Sequence, residues 1–234
     1  VLYYDDQKVI DFCKEANRAG LQIELHAIGD KAFDQACRAI KAALDDCPRE
    51  DHRHGIIHDC LPTPEGIQIC RDYHIQMPMQ SAFIGWKQEP DDYLEHILGH
   101  DRLEKLNPIK TFRDNGIMVS FGSDAPCTTP DPIAWMDRAV NNDNAGQAVS
   151  VQDALRMCTY NGAWAAFDEQ ERGSLEAGKI ADMAVLSENP YTVPKDRLKD
   201  IRVERLYLGG KSYESCRESI LPMMLRGLTS RNKA

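Results

Sequence analysis

What the 234-residue chain lacks already narrows its class. No apolar run approaches the roughly 20 residues of a membrane-spanning helix, and no charged-then-apolar segment reads as a secretory signal. Basic residues are outnumbered, 28 against 37 acidic, which leaves a net charge of −9. Neither a nucleic-acid surface nor a polybasic membrane anchor is expected at that balance. No CxxC pair occurs among Cys13, Cys37, Cys47, Cys60, Cys70, Cys127, Cys158 and Cys216. In a chain of this length the pattern points to reduced thiols in the cytoplasm rather than to a disulfide framework. Exact repeats and low-complexity tracts are missing too. So is an initiating methionine: the chain opens Val1-Leu2-Tyr3-Tyr4, which suggests processing or a piece of something longer.

What is present suits a globular fold. With 42% hydrophobic and 28% charged residues, the length allows one large domain, or one domain and a small appendage. Residues 7–19 place Val9, Ile10, Cys13 and Ala16 on one helical face, and Gly20 closes the run. Residues 21–26 then read as a strand, and Asp30 is positioned to cap a helix over 31–45. His54–His58 reads as a second strand, followed by a helix from Thr63 to Tyr73 that starts Thr-Pro-Glu. Residues 75–80 make a third strand, an acidic loop runs around Glu89–Asp92, and a helix ends at Asn115-Gly116. Ile117–Phe121 forms a fourth strand leading into Gly122-Ser123-Asp124, with helices expected at about 131–141 and 150–167. Strands alternating with helices, without hairpin signals, imply parallel β-structure with crossover helices. From Gly173 the rhythm changes to short β segments joined by Gly turns, and 214–234 offers one more amphipathic helix and a basic tail.

Spacing carries the chemistry. His26 and His58 lie 32 residues apart, and His58 and Asp124 lie 66 apart, close to one and two βα units. Each closes a predicted strand, the first, second and fourth, on the face where parallel α/β folds keep their active sites. Two imidazoles and a carboxylate suit zinc or a similar divalent ion, one or two in number, with a position open to water. Such an ion lowers the pKa of water toward about 7, and Asp124 is the candidate to take the water proton and pass it to a leaving amine.

The other histidines fit this set less well. His52-Arg53-His54 has the look of a metal-binding pair, but His54 precedes His58 by four strand residues, about 13 Å at roughly 3.3 Å each, so one ion cannot hold both. That pair is expected to be structural. His74, His96 and His100 read as helix-end or surface residues, Asp30 as a cap rather than a ligand. Cys127 has no base beside it.

The segments Glu24–Ala32, Arg53–His58, Phe121–Pro126 and Gly173–Asp182 together resemble the C-terminal half of amidohydrolase family 3, which includes N-substituted formamide deformylases and other metal-dependent hydrolases. The resemblance spans about residues 7–213. It implies a distorted TIM (β/α)8 barrel with a small β-sandwich: residues 1–172 as a partial barrel carrying strands five to eight, 173–213 as a sandwich segment, and 214–234 as a helix and tail. His26 and His58 would be metal ligands after strands five and six, and Asp124 the ligand and proton shuttle after strand eight. Gly29-Asp30 and Ser123 would shape the rim. Under the hydrolase reading the acidic loop with Phe83, Trp86 and Tyr93 forms part of a pocket wall for an apolar portion of the substrate; a plain surface loop is the equal alternative. Family members also use an HxH pair after strand one and a lysine after strand four, and nothing before His26 can supply them. Ile57 stands where many relatives carry glutamate.

The expected activity is hydrolysis of a carbon–nitrogen bond other than a peptide bond, an amide or formamide, in a small-molecule substrate. A deaminase or cyclic-amide hydrolase is a second reading. An inactive scaffold or partner subunit is a third. Half a barrel leaves open edges, so the chain is expected to be completed by its missing N-terminal half or by a homo-oligomer partner.

Overall fold

The computed structural model describes residues 2–85 and 89–213. The first helix, α1 (Asp6–Arg18), starts where the Asp5 carboxylate accepts from the Lys8 amide at 3.0 Å. Its apolar stripe, with Cys13 fully buried, packs on α2 (Asp30–Asp46), and between the two helices runs the strand β1 (Glu24–Ala27). Asn17 locks the contact by donating to the carbonyls of Ala43 and Cys47 at 2.9 and 2.7 Å. Then follow β2 (Gly55–His58), α3 (Pro64–Asp72), β3 (Met77–Met79), α4 (Asp91–Leu98), α5 (His100–Leu103), α6 (Ile109–Asp114) and β4 (Val119–Phe121). The chain continues through α7 (Pro132–Val140), α8 (Val151–Cys158) and α9 (Tyr160–Ala165) to β5 (Met183–Leu186), β6 (Val203–Leu208) and β7 (Lys211–Tyr213).

The expected parallel arrangement is present. β1 pairs with β2 in register Ala27↔His58, β3 pairs with β4 in register Met79↔Phe121, and a parallel bridge between Gly55 and Gln76 links the two pairs. All four strands therefore point the same way, with their C-terminal ends on one face. Leu25, Ile56, Met77 and Val119 pack with Phe33, Ile40 and Phe112 from the covering helices into a core that also takes in Leu198 and Ile201. From β5 onward the sheet is antiparallel, in the order β5-β6-β7. Gly173 turns the chain toward it at φ +85°, where a Cβ would lie 2.7 Å from that of Ala163 and 3.0 Å from the Tyr160 backbone, so only glycine fits.

Three expectations need correction. Asp30 does not cap α2: Gly29 occupies the cap in extended backbone, while Asp30, inside the helix, accepts from Lys31 N at 2.8 Å and pairs with Arg102 at 2.9 Å. The second half of the acidic loop, Asp91 and Asp92, opens α4 after the extended cap residue Pro90, where acidic residues in a helix's first turn are favoured. The helix expected over 150–167 breaks at Thr159 (φ −127°, ψ −90°), which lets Asn161 turn inward and donate to the Val119 carbonyl at 2.7 Å. Trp86, Cys216 and the helix expected within 214–234 lie outside the described residues.

Candidate metal centre

His26 and His58 meet. Their ring centroids are 4.5 Å apart in an edge-to-face arrangement at the C-terminal ends of β1 and β2. Pleat parity alone opposes this, because Ala27, not His26, is the register partner of His58. The backbone resolves it: His58 adopts a left-handed φ of +81°, which takes its side chain off the strand alternation, and Asp59 follows at +50°. Non-glycine residues in that region are strained by about 1–3 kcal/mol each and concentrate at functional sites.

The His58 ring is held from the protein side. Its Nδ1–H donates to the side-chain carbonyl of Gln80 at 2.6 Å, and the Phe83 ring stacks on it at 5.9 Å and 26°. With Nδ1 protonated, Nε2 carries the lone pair, and among the described residues it has no hydrogen-bond partner. Burial pushes the His58 pKa below the ordinary histidine value; the Gln80 hydrogen bond opposes this, the His26 ring adds to it, and the Asp124 charge again opposes it. A neutral imidazole with one nitrogen anchored and the other free is the state a metal ligand requires.

Asp124 stands three residues past β4, exposed, in left-handed backbone at φ +52°. Its charge reaches His58, yet among the described residues no three His, Cys, Asp or Glu side chains form a group able to hold an ion by themselves. The structure thus brings His26 and His58 together and does not group Asp124 with them. An open cleft of about 620 Å³ continues past Asp124, lined by Ala125, Pro126, Cys127, Thr128 and Arg138. Tyr93 is exposed and lies outside the lining of a second, 290 Å³ cavity, to which Phe83 does contribute.

The neighbouring histidine pair behaves oppositely. His54 accepts from Ile23 N through Nδ1 at 3.1 Å and bonds Asn17 through Nε2 at 3.0 Å, so neither nitrogen is left for an ion. His52 is likewise used up, Nδ1 by His54 N and Nε2 by the Tyr73 carbonyl. Between them Arg53, which the sequence reading passed over, forks onto Glu169 at 2.7 and 2.9 Å and stacks on Trp164 and Phe167. Gln80 was also missed. It sits at the end of the third strand, the one position at which the ligand spacing named nothing. Asp59 is buried with both carboxyl oxygens unpartnered among the described residues, and burial, with the Cys37 thiol adding to it, raises its pKa well above the usual carboxylate range.

Residues 1–213 match the family described as the amidohydrolase family. The chain belongs to it. Among curated proteins, this chain is 26% identical to the putative amidohydrolase YtcJ of Bacillus subtilis, over 90% of this chain and 41% of that protein. It is 28% identical to the N-substituted formamide deformylase of Arthrobacter pascens, over 89% of this chain and 39% of the enzyme. The chain thus spans about two fifths of the length of these relatives. In three dimensions it resembles an uncharacterised metal-dependent hydrolase from Pyrococcus furiosus, with TM-score 0.71 at 25% identity, over 82% of this chain and 39% of that one. The fold of an adenosine deaminase from Xanthomonas campestris is also similar, with TM-score 0.64 at 16% identity, over 98% and 54% of the two chains.

Proposed function

We propose that the chain carries part of the active site of a metal-dependent amidohydrolase that cleaves a non-peptide carbon–nitrogen bond, an amide or formamide, in a small molecule. The observation that carries this is the His26–His58 contact at adjacent parallel strand ends, with Nδ1 of His58 anchored and Nε2 free. Membership of the amidohydrolase family and similarity to a formamide deformylase and a metal-dependent hydrolase support it.

In this reading His26 and His58 hold a divalent ion of zinc type, one or two ions being compatible with the family pattern. When bound, the ion supplies Lewis acidity toward water and the scissile carbonyl. Asp124 accepts the proton of the attacking water and returns it to the nitrogen that leaves. The cleft beyond it takes the substrate's remaining bulk, with Phe83 closing the apolar side near His58. The four parallel strands correspond to the second half of a (β/α)8 barrel with the antiparallel strands as a sandwich segment. The ligands missing from residues 1–213 come from the rest of a longer protein or from a partner. The free thiols fit a reducing cytoplasm.

Asp124→Asn, made in a form of the protein that contains the complete site, is expected to keep its metal and lose 10²–10⁴-fold in kcat on N-formyl amines. Metal content and initial rates measured together check this, and unchanged turnover refutes the proton-shuttle role. A deaminase is the second reading, favoured by 32% identity over 100 residues to a 5-methylthioadenosine/S-adenosylhomocysteine deaminase of Thermoanaerobacter pseudethanolicus. Ammonia release from aminopurines, with N-formyl amines untouched, would select it.

A further inference from the structure

The third parallel strand ends in a residue with no charge and no place in the ligand pattern. Gln80 follows directly on β3, where Met79 O accepts from Gly122 N at 3.0 Å and so ties that strand end to the end of β4. Its side chain is buried, and so is the His58 ring that it meets. The amide is polarised along the face: Oε1 lies on His58 Nδ1, while Nε2 turns toward Gly122, 3.9 Å from where a Cβ on that glycine would stand.

A carbonyl oxygen can only accept, so this contact requires the proton on Nδ1 and leaves the lone pair on Nε2. With Phe83 against one face of the ring and His26 meeting it edge to face, the imidazole is fixed in tautomer as well as in direction. His54 shows the alternative in the same chain. There a backbone N–H donates to Nδ1, which forces the proton onto Nε2 and spends it on Asn17.

We propose that Gln80 is the positioning residue of the histidine pair, holding His58 in the Nδ1–H tautomer so that Nε2 faces the strand-end site as a ready donor atom. The proposal deepens the metal-centre reading and rests on it for its purpose, though the tautomer itself is a property of the metal-free protein. The alternative is a purely packing role, in which loss of Gln80 lowers stability and leaves the ring's proton where it was.

Long-range ¹H–¹⁵N correlation of the histidine rings in metal-free protein at neutral pH reads the proton's location, with the His58 signals assigned by their absence in His58→Gln. The wild-type protein should show a protonated Nδ1 and an unprotonated Nε2 at His58. Gln80→Leu should move His58 toward the Nε2–H form, whereas Gln80→Glu, which keeps an acceptor in place, should retain Nδ1–H. Competition of Zn²⁺ with a chelator should then give a 10–100-fold weaker affinity for Gln80→Leu and an affinity near wild type for Gln80→Glu. An Nε2–H tautomer at His58 in the wild-type protein overturns the proposal without need of any variant. So does an unchanged tautomer in a folded Gln80→Leu, or measurable Zn²⁺ binding of equal affinity in all three proteins. If the tautomer follows Gln80 as described while none of the proteins binds a divalent ion, Gln80's hold on the ring stands and the metal reading of the site falls.

Discussion

His54 and His58 are four residues apart and chemically identical, yet their surroundings assign them opposite tautomers and opposite uses. His54 is fully buried, and burial pushes its pKa down to about 3, with His52 and Arg49 adding to the effect. An unfolded chain protonates the same imidazole near 6.5. Between these values the unfolded state binds a proton that the folded state refuses. The stability His54 contributes is therefore complete above about pH 6.5 and is lost as the pH falls toward 3. The slope approaches about 1.4 kcal/mol per pH unit, by linkage. Urea midpoints for wild type and His54→Gln at pH 7, 6 and 5 should converge as the pH drops, and parallel profiles would show that His54 is not held neutral. The difference profile also separates His54 from Asp59, whose raised pKa gives the opposite slope. Distance along a strand was enough to read His54 as structural from sequence. Gln80 and Arg53 escaped because their roles depend on what lies across the fold, Nδ1 of His58 and the Glu169 carboxylate, neither adjacent in sequence.

At the scale of elements, helix α3 sits against α2 with glycine at the point of contact. A Cβ on Gly66 would stand 2.4 Å from Cε1 and 2.7 Å from Cδ1 of Phe33, and that ring, itself fully buried, has nowhere to retreat. Gly66→Ala improves helix propensity by roughly 1 kcal/mol, but overpacking of a closed core costs more, typically 1–3 kcal/mol. The net expectation is destabilisation, read as a lower urea midpoint with the m-value preserved. A rise in midpoint would mean that α2 and α3 slide apart freely. Nothing in the local pattern at Thr-Pro-Glu-Gly marks that glycine as a contact, although the pattern locates the helix start, with Thr63 accepting from Gly66 N at 3.0 Å. The same limit explains the break at Thr159. The 150–167 stretch has continuous helical periodicity, and only the carbonyl of Val119, more than forty positions earlier in the chain, supplies the reason for Asn161 to turn inward. Strand identity and direction were legible because apolar runs, helix signals and missing hairpins suffice for them. Strand length was not: β3 and β4 keep three paired residues each, because pairing ends where the chain bends into the strand-end loops.

For the whole molecule, the decisive feature is that β1 and β4 are the outer strands of the parallel set and, among the described residues, neither has a strand neighbour on its far side. Asn161 occupies one carbonyl of β4, at Val119. Parallel strands are stable where both faces and both edges are covered, and an open edge templates pairing with another chain. In a barrel the edges disappear by closure, which needs strands beyond these four. The chain's span of about two fifths of its curated relatives is consistent with such strands lying elsewhere in a longer protein. Leu21, three residues before β1, and Ile28, directly after it, are more than half exposed and add apolar surface. The net charge of −9 opposes close approach of two copies only over about a Debye length, some 10 Å at 0.1 M salt. The 234-residue chain on its own should therefore associate as its concentration rises, and more readily at high salt, where that repulsion is screened. Size-exclusion chromatography with light scattering across a concentration and salt series measures it. A monomer that stays monodisperse throughout would show that the edges of β1 and β4 are satisfied within the chain, and the half-barrel reading would then fail with them.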